Sequence, residues 1–325
     1  NEPRWESSEL KPFMIQPAPG HSRLERCAVL FMAMWLTAIA GADAAFASAP
    51  PTVESRYPGL ASGILKSARV MNLPATVLLK TDGFEIRAAD LDRMLQKAPP
   101  ELKPQLEKNR FYLLEQEAGR RIILREAQAA GVTGGLSEDQ AVQRFFRHVS
   151  ENVSVSDPEV REFYDANKEM VGGAPFDQVS GVIRQVLLQN KKDESVQQYF
   201  AALEKRLVVH VNGEWVKAQY SVARNNPVDK ARTSGRPTLV EFGASGCVPC
   251  DMMQPILDKL RKTHSERLNV VFVHVGEEKI LAARFGIRAI PVQVFFDHQG
   301  KEVFRHEGFF AETEVNKVLN KMGLQ

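Results

Sequence analysis

The chain has 325 residues, with 42 Lys and Arg against 40 Asp and Glu and a formal net charge of +2. Apolar residues make up 44% and charged residues 25%, which excludes a disordered chain, and the length predicts two globular units plus extra segments. No region carries a marked basic surplus, so a nucleic-acid partner is not expected, and three cysteines are too few for a disulfide framework or a four-cysteine zinc site.

Arg23 and Arg26 precede Cys27–Ala42, an uncharged stretch rich in Leu, Met, Phe and Ala. Ala45-Phe46-Ala47 follows as an Ala-x-Ala cleavage site, so residues 1–47 read as a leader with a signal peptide. The uncharged core is shorter than the roughly 20 residues of a spanning helix. Only Asp43 interrupts the wider stretch to Ala49, so a retained anchor is the alternative. The sequence opens with Asn1, and a start at Met14 gives a leader of more ordinary length. Cys27 precedes the apolar core, unlike a lipoprotein cysteine, and is expected to leave with the leader. The expected location is the periplasm, an oxidising compartment.

Residues 48–74 read as an N-terminal extension with a weak helical stripe of Leu60, Ile64 and Ala68. Ala75–Leu79 and Phe84–Arg87 read as strands around a Thr81-Asp82-Gly83 turn. From Ala88 the period is helical. Phe111, Leu114, Ala118 and Ile122 share a face until Gly131, and Ser137 with Gln140 and Ser156 with Glu159 form capping boxes. A long helix is predicted from about Pro175, with Ile183, Val186, Phe200 and Leu203 in its stripes. The pair Phe145 and Phe146 reads as core. Leu207–Val211 returns to a strand, and Asn212-Gly213 reads as a hairpin turn into Trp215-Val216. The helical module is bounded at 75–217, and 218–236, with its Asn-Asn-Pro and Ser-Gly-Arg-Pro runs, reads as a linker. Residues 237–325 alternate strand and helix. The fold class is therefore two-domain: a mainly α-helical module, then an α/β domain with a central mixed sheet flanked by helices.

Gly246-Cys247-Val248-Pro249-Cys250 follows a buried-type strand and opens a helix. Helix N-terminal N–H groups stabilise a thiolate at Cys247, and Cys250, one turn later, can reach the same sulfur. A Cys-x-x-Cys can also be half a zinc knuckle, but no partner Cys or His pair at ligand spacing is present, and no metal is expected. His210, His274 and His306 fall in strand patterns and carry no functional reading.

This region resembles thioredoxin. Cys247-Val-Pro-Cys250 with Met252, Pro255, Ile256 and Leu257 is similar to the family's active-site helix. Phe285-Gly-Ile-Arg-Ala-Ile-Pro291 is similar to the approach to its cis-proline, and Gly308 follows at the family's place. The resemblance implies Cys247 as attacking thiol, Cys250 as resolving thiol, and Glu241 as the buried proton acceptor. It also implies that Pro291 lies against the pair, with Ile290, Gly246 and Val248 beside the substrate strand. Three departures bear on proton transfer and recognition: Gly246 stands for the usual Trp, Phe272 for a Lys beside the buried acid, and Glu241 for a shorter Asp.

Residues 75–211 resemble the N-terminal chaperone module of SurA-type and parvulin-type foldases. The matching stretches are Ala88-Ala-Asp-Leu-Asp-Arg-Met, Ile122-Ile-Leu-Arg-Glu-Ala-Gln, Val155-Ser-Asp-Pro-Glu through Asn167-Lys168, and Pro175-Phe-Asp-Gln-Val through Val211. Those foldases insert a prolyl isomerase domain where this chain has only Glu169–Ala174, so that activity is not expected. What remains implies a peptide-binding cradle or, equally, a spacer or dimerisation unit.

The two resemblances together imply an exported thiol–disulfide oxidoreductase acting on protein substrates with disulfides or thiols. No cofactor is expected beyond the cysteine pair, and re-reduction requires a membrane or periplasmic electron-transfer partner. The Val-Pro dipeptide resembles membrane-linked reductive thioredoxins of the TlpA type, which leans the reading toward reductase or isomerase. The alternative is a periplasmic holdase in which the dithiol is secondary.

Overall fold

The computed structural model describes residues 49–169 and 171–324. The predicted leader, Cys27 included, lies outside the described residues. Helix α1 (Val53–Arg56) is capped by the Thr52 hydroxyl, and β1 (Arg69–Met71) follows. β2 (Val77–Lys80) and β3 (Glu85–Arg87) form the predicted hairpin, with the Thr81 hydroxyl accepting from the Gly83 and Phe84 N–H groups. The helical run consists of α2 (Ala88–Lys97), α3 (Lys103–Lys108), α4 (Arg110–Ala129), α5 (Glu138–Val149), α6 (Asp157–Ala166) and α7 (Phe176–Arg206). Both capping boxes form, at Ser137/Gln140 and Ser156/Glu159.

β4 (His210–Asn212) brings the chain back between β1 and β2, giving the order β1-β4-β2-β3. It runs parallel to β1 and antiparallel to β2. Val53, Leu60, Leu65, Ile86, Phe111, Leu114 and Val211 fill one core beneath it. Residues 49–74 of the expected extension are therefore part of this core's framework. Their expected helical stripe is replaced by turns for a tertiary reason. The buried Glu115 carboxylate of α4 accepts from the Ser62 and Gly63 N–H groups, each at 2.8 Å, and from Leu65 N–H at 3.3 Å. Those bonds satisfy backbone donors that a helix would have satisfied internally.

Two further expectations are corrected. Asn212-Gly213 is not a hairpin turn: it opens α8 (Gly213–Ala223), with Asn212 Oδ1 accepting from Trp215 N–H at 3.1 Å. Asn212 Nδ2 also donates to the carbonyls of Leu73, Pro74 and Val77, each at 3.2 Å. Gly213 is required by close approach, since a Cβ there would stand 3.0 Å from Val70 Cγ1. The segment 218–236 is likewise not a bare linker. It holds the end of α8 and all of α9 (Pro227–Arg232), in which Asn226 is the N-cap and Pro227 stands at the helix start, where its missing N–H costs nothing. Asn-Pro marks a helix start as readily as a loop.

The second sheet contains β5 (Thr238–Gly243), β6 (Asn269–His274), β7 (Val292–Phe296) and β8 (Glu302–Glu307), ordered β6-β5-β7-β8. β6 is parallel to β5, and β7 is antiparallel to β5 and β8, as expected of a mixed sheet. Helices α10 (Val248–Thr263), α11 (Lys279–Arg284) and α12 (Glu312–Lys321) flank it. Leu239, Val270, Phe272 and Phe295 meet α10 and α12 on one face, and Val240, Phe242, Val273 and Val294 meet α11 on the other. Alternation along each strand assigns these faces.

Residues 50–325 cluster as one unit, and a buried ionic knot joins the helical region to this second sheet. Asp229 is fully buried and receives Arg232 Nε at 2.7 Å and Arg284 Nη2 at 2.8 Å. The guanidinium groups also donate to the carbonyls of Pro58, Gly59 and Ala223. Gln105 of α3 caps α11, accepting from Ile280 N–H at 3.1 Å and donating to Glu277 O at 2.7 Å. Ile280 itself is part of the helical region's core.

Candidate active site

β5 is an enclosed strand, with all six residues buried because it has neighbours on both sides and helices on both faces. It delivers the chain to Ala244-Ser245-Gly246, and Gly246 adopts a left-handed φ of +77°, which turns the chain into α10. Cys247 is the N-cap residue of α10. Its sulfur accepts from the Cys250 N–H at 3.3 Å, so it sits among the unsatisfied donors at the positive end of the helix. Cys247 and Cys250 are joined as a disulfide, with Cα atoms 5.2 Å apart. Cys247 is half-buried, whereas Cys250 is only 1% exposed. The two sulfurs are thus unequal: one faces solvent at a helix terminus and the other faces the core.

The rim is apolar. Val248 is 69% exposed and Met252, one turn on, is 51% exposed. Ile290 is half-buried, and the Ile290–Pro291 bond is cis. Pro291 is buried, and its carbonyl accepts from Gly308 N–H at 2.8 Å.

Glu241 lies two residues before Gly243 on the sheet face that α10 covers, the same face as Leu239. A Cβ at Gly243 would stand 3.4 Å from the Cys250 sulfur, so Glu241 lies one strand repeat below that contact. Its neighbours across the sheet are Phe272 on β6 and Gln293 on β7. Gln293 Nε2 donates to Glu241 Oε2 at 3.0 Å, and Glu241 Oε1 is buried with no partner. Burial pushes the carboxyl up to about 7, and the Gln293 hydrogen bond acts in the opposite direction.

The sequence reading missed three contributors. Gly243 leaves the space that the Phe272 ring fills, since a Cβ would stand 3.0 Å from Phe272 Cε2. Gln293 reads as one polar residue in an apolar strand, and that was its only signal. His274 reads as a strand residue, yet its Nε2 accepts from Ser245 N–H at 3.2 Å and so tethers the loop before Cys247. Only the parallel register, which sets His274 beside Gly243, makes that contact visible. Among the described residues no group of three or more His, Cys, Asp or Glu side chains converges as a metal site.

The raised carboxyl has a consequence for stability. Folding raises the affinity of Glu241 for its proton from an ordinary 4.5 to about 7, so between these values the folded chain holds a proton that the unfolded chain releases. This site's stabilisation is complete below about pH 4.5 and is lost as pH rises through about 7. Glu241→Gln is expected to remove that loss. Denaturant unfolding of the oxidised proteins at pH 8 is expected to show the variant about 3 kcal/mol more stable, with no such gain near pH 4.5.

Residues 225–323 match the family model described as a thioredoxin-like domain, beginning inside the stretch first read as linker. Thioredoxin 1 of Synechococcus elongatus is 34% identical over 88 residues, which is 27% of this chain and 81% of that protein. The thioredoxin-like protein slr0233 of Synechocystis sp. is 33% identical over 104 residues, 32% of this chain and 94% of its own. The thioredoxin of Alicyclobacillus acidocaldarius is 36% identical over 84 residues, 26% of this chain and 79% of its own.

Proposed function

This chain belongs to the thioredoxin family through its C-terminal domain, and from that premise we propose that it is an exported thiol–disulfide oxidoreductase acting on protein disulfides. The observation that carries the reading is the inequality of the two sulfurs. Cys247 is half-buried at the N-terminus of α10, placed to attack, and Cys250 is buried behind it, placed to resolve. In the reductive direction Cys247 thiolate attacks a substrate disulfide, one substrate sulfur leaves and is protonated from solvent, and a mixed disulfide remains. Cys250 then resolves it, with Glu241 accepting its proton. The apolar rim of Val248, Met252 and Ile290 suits an extended protein segment laid against Pro291. Re-reduction falls to a membrane or periplasmic dithiol partner, and the helical region selects or holds the client.

Insulin reduction followed by turbidity, with dithiothreitol as electron source, tests the reading. Cys247→Ser is expected to lose the catalysed rate to background, while a rate equal to the parent protein's would sink the proposal.

A holdase reading has one observation in its favour. Helix α7 runs 31 residues, yet only Ile183 and Leu203 among its described residues are fully buried, and Val182 is 56% exposed. An arm that leaves so much of its length open offers apolar surface to an unfolded chain.

A further inference from the structure

Among the described residues three buried polar atoms at the second sheet have no hydrogen-bond partner: Glu241 Oε1, Gln293 Oε1 and His274 Nδ1. Two of them belong to one pair. Glu241 and Gln293 face each other across β5 and β7 in register, both fully buried, with a single bond from Gln293 Nε2 to Glu241 Oε2 at 3.0 Å. Such groups are rare in a protein interior, because each unmet donor or acceptor carries its full desolvation penalty.

We infer that Gln293 is a positioning residue for proton transfer at the dithiol: its amide donates Nε2–H to Glu241 Oε2, fixes the carboxyl, and reserves Oε1 as the atom that takes the Cys250 proton. The inference rests on the proposed role of Glu241 as proton acceptor. A carboxylate free to rotate in its cavity would present either oxygen, and one held by both oxygens would have none to offer. Here one oxygen is occupied and the other is left open.

The chemical step balances within the pair and its substrate. The Cys250 S–H proton passes to Glu241 Oε1, the Cys250 sulfur bonds to Cys247 Sγ, and the bond between Cys247 and the substrate breaks. The substrate sulfur leaves with the bonding electrons and takes a proton from solvent. The dithiol has lost two electrons, the substrate disulfide has become two thiols, and Glu241 returns its proton to water when the next dithiol reductant acts.

The surroundings leave Gln293 as the means of tuning. Phe272 faces Glu241 from β6, and α10 brings the titratable Cys250 to the same face. His274, further along β6, is engaged with Ser245. Among the described residues no charged side chain acts on the carboxyl: burial raises it to about 7 and the Gln293 amide restrains it. A donor to an ionised group is about twice as strong as a neutral bond, so loss of the amide tightens the carboxyl's hold on its proton.

Gln293→Met keeps length and volume but donates nothing. The rate of insulin reduction with dithiothreitol and the Glu241 carboxyl titration, read by carbon NMR in the reduced full-length protein, are measured across pH for the parent, Gln293→Met and Glu241→Gln. In Gln293→Met the pH at half-maximal rate and the carboxyl titration are expected to rise together by about one pH unit, with a roughly fivefold slower rate at pH 7 that recovers at higher pH. A rate lowered equally at every pH, with the carboxyl titration unmoved, would make Gln293 a packing residue and overturn the inference. If Glu241→Gln keeps the parent's pH profile, the proton-acceptor reading itself falls, and the inference with it. If Glu241→Gln flattens the profile while Gln293→Met leaves it in place, only the inference falls.

Discussion

Replacing Cys250 with Ala is expected to turn the protein into a covalent trap. Cys247 keeps its place at the N-terminus of α10 and still attacks a disulfide, but the buried thiol that would release the adduct is gone. An intramolecular thiol one turn away acts at an effective concentration far above that of any thiol in solution, so turnover is expected to fall at least about a hundredfold. Non-reducing electrophoresis of exported proteins is expected to show adducts that disappear with dithiothreitol and are absent from a Cys247→Ser/Cys250→Ala double variant. A trap that captures nothing removes the oxidoreductase reading. If the double variant nonetheless suppresses aggregation of an unfolded client as well as the parent does, the holdase reading takes its place.

Asp229→Ala is expected to be among the most destabilising single substitutions in this chain. It leaves Arg232 and Arg284, 8% and 6% exposed, as two buried cations without their counter-ion. Removing one partner of a buried ionic cluster typically costs about 3–5 kcal/mol. The effect is expected to reach beyond stability, because the guanidinium groups also hold the carbonyls of Pro58, Gly59 and Ala223. In the parent protein, unfolding of the helical region and of the thioredoxin-like domain is expected to coincide. In Asp229→Ala, far-UV circular dichroism and the near-UV aromatic signal are expected to report separate transitions. Coincident transitions with less than about 1 kcal/mol of loss would show that the knot does not couple the two parts.

Position within α11 gives that coupling a route to the chemistry. Arg284 ends the helix whose following residues lead to Ile290 and Pro291, so the same element that docks on Gln105 and Gly59 also carries the approach to the cis peptide bond. The helical region and the Ile290–Pro291 turn are therefore joined through α11.

Local chemistry was legible in the sequence. Capping boxes at Ser137 and Ser156, the hairpin around Thr81, the strand–helix alternation after 237 and the Cys-Val-Pro-Cys turn all depend on residues within four positions of each other. Such features are written in one stretch of chain and survive transfer to any context. The two cysteines and their spacing at a helix start belong to this class.

Long-range partners were not legible. The strip 48–74 reads as a weak helix, yet Glu115 draws its backbone donors away and β4 recruits its strand. Asn212-Gly213 and Asn226-Pro227 carry turn composition, and burial against β1 and the Asp229 knot makes each of them a helix start. Glu241 could be picked out by its place before the dithiol, but not its environment. A carboxyl takes its proton affinity from what surrounds it, and here that is the Phe272 ring on one side and the Gln293 amide on the other. The sequence by itself determined the cysteine pair, its place at a helix N-terminus and the family it belongs to, because a helix N-terminus acts over a single turn. Only the tertiary structure decided the setting of the carboxyl behind it, because it is register between strands distant in sequence that sets Gln293 and Phe272 on either side of Glu241.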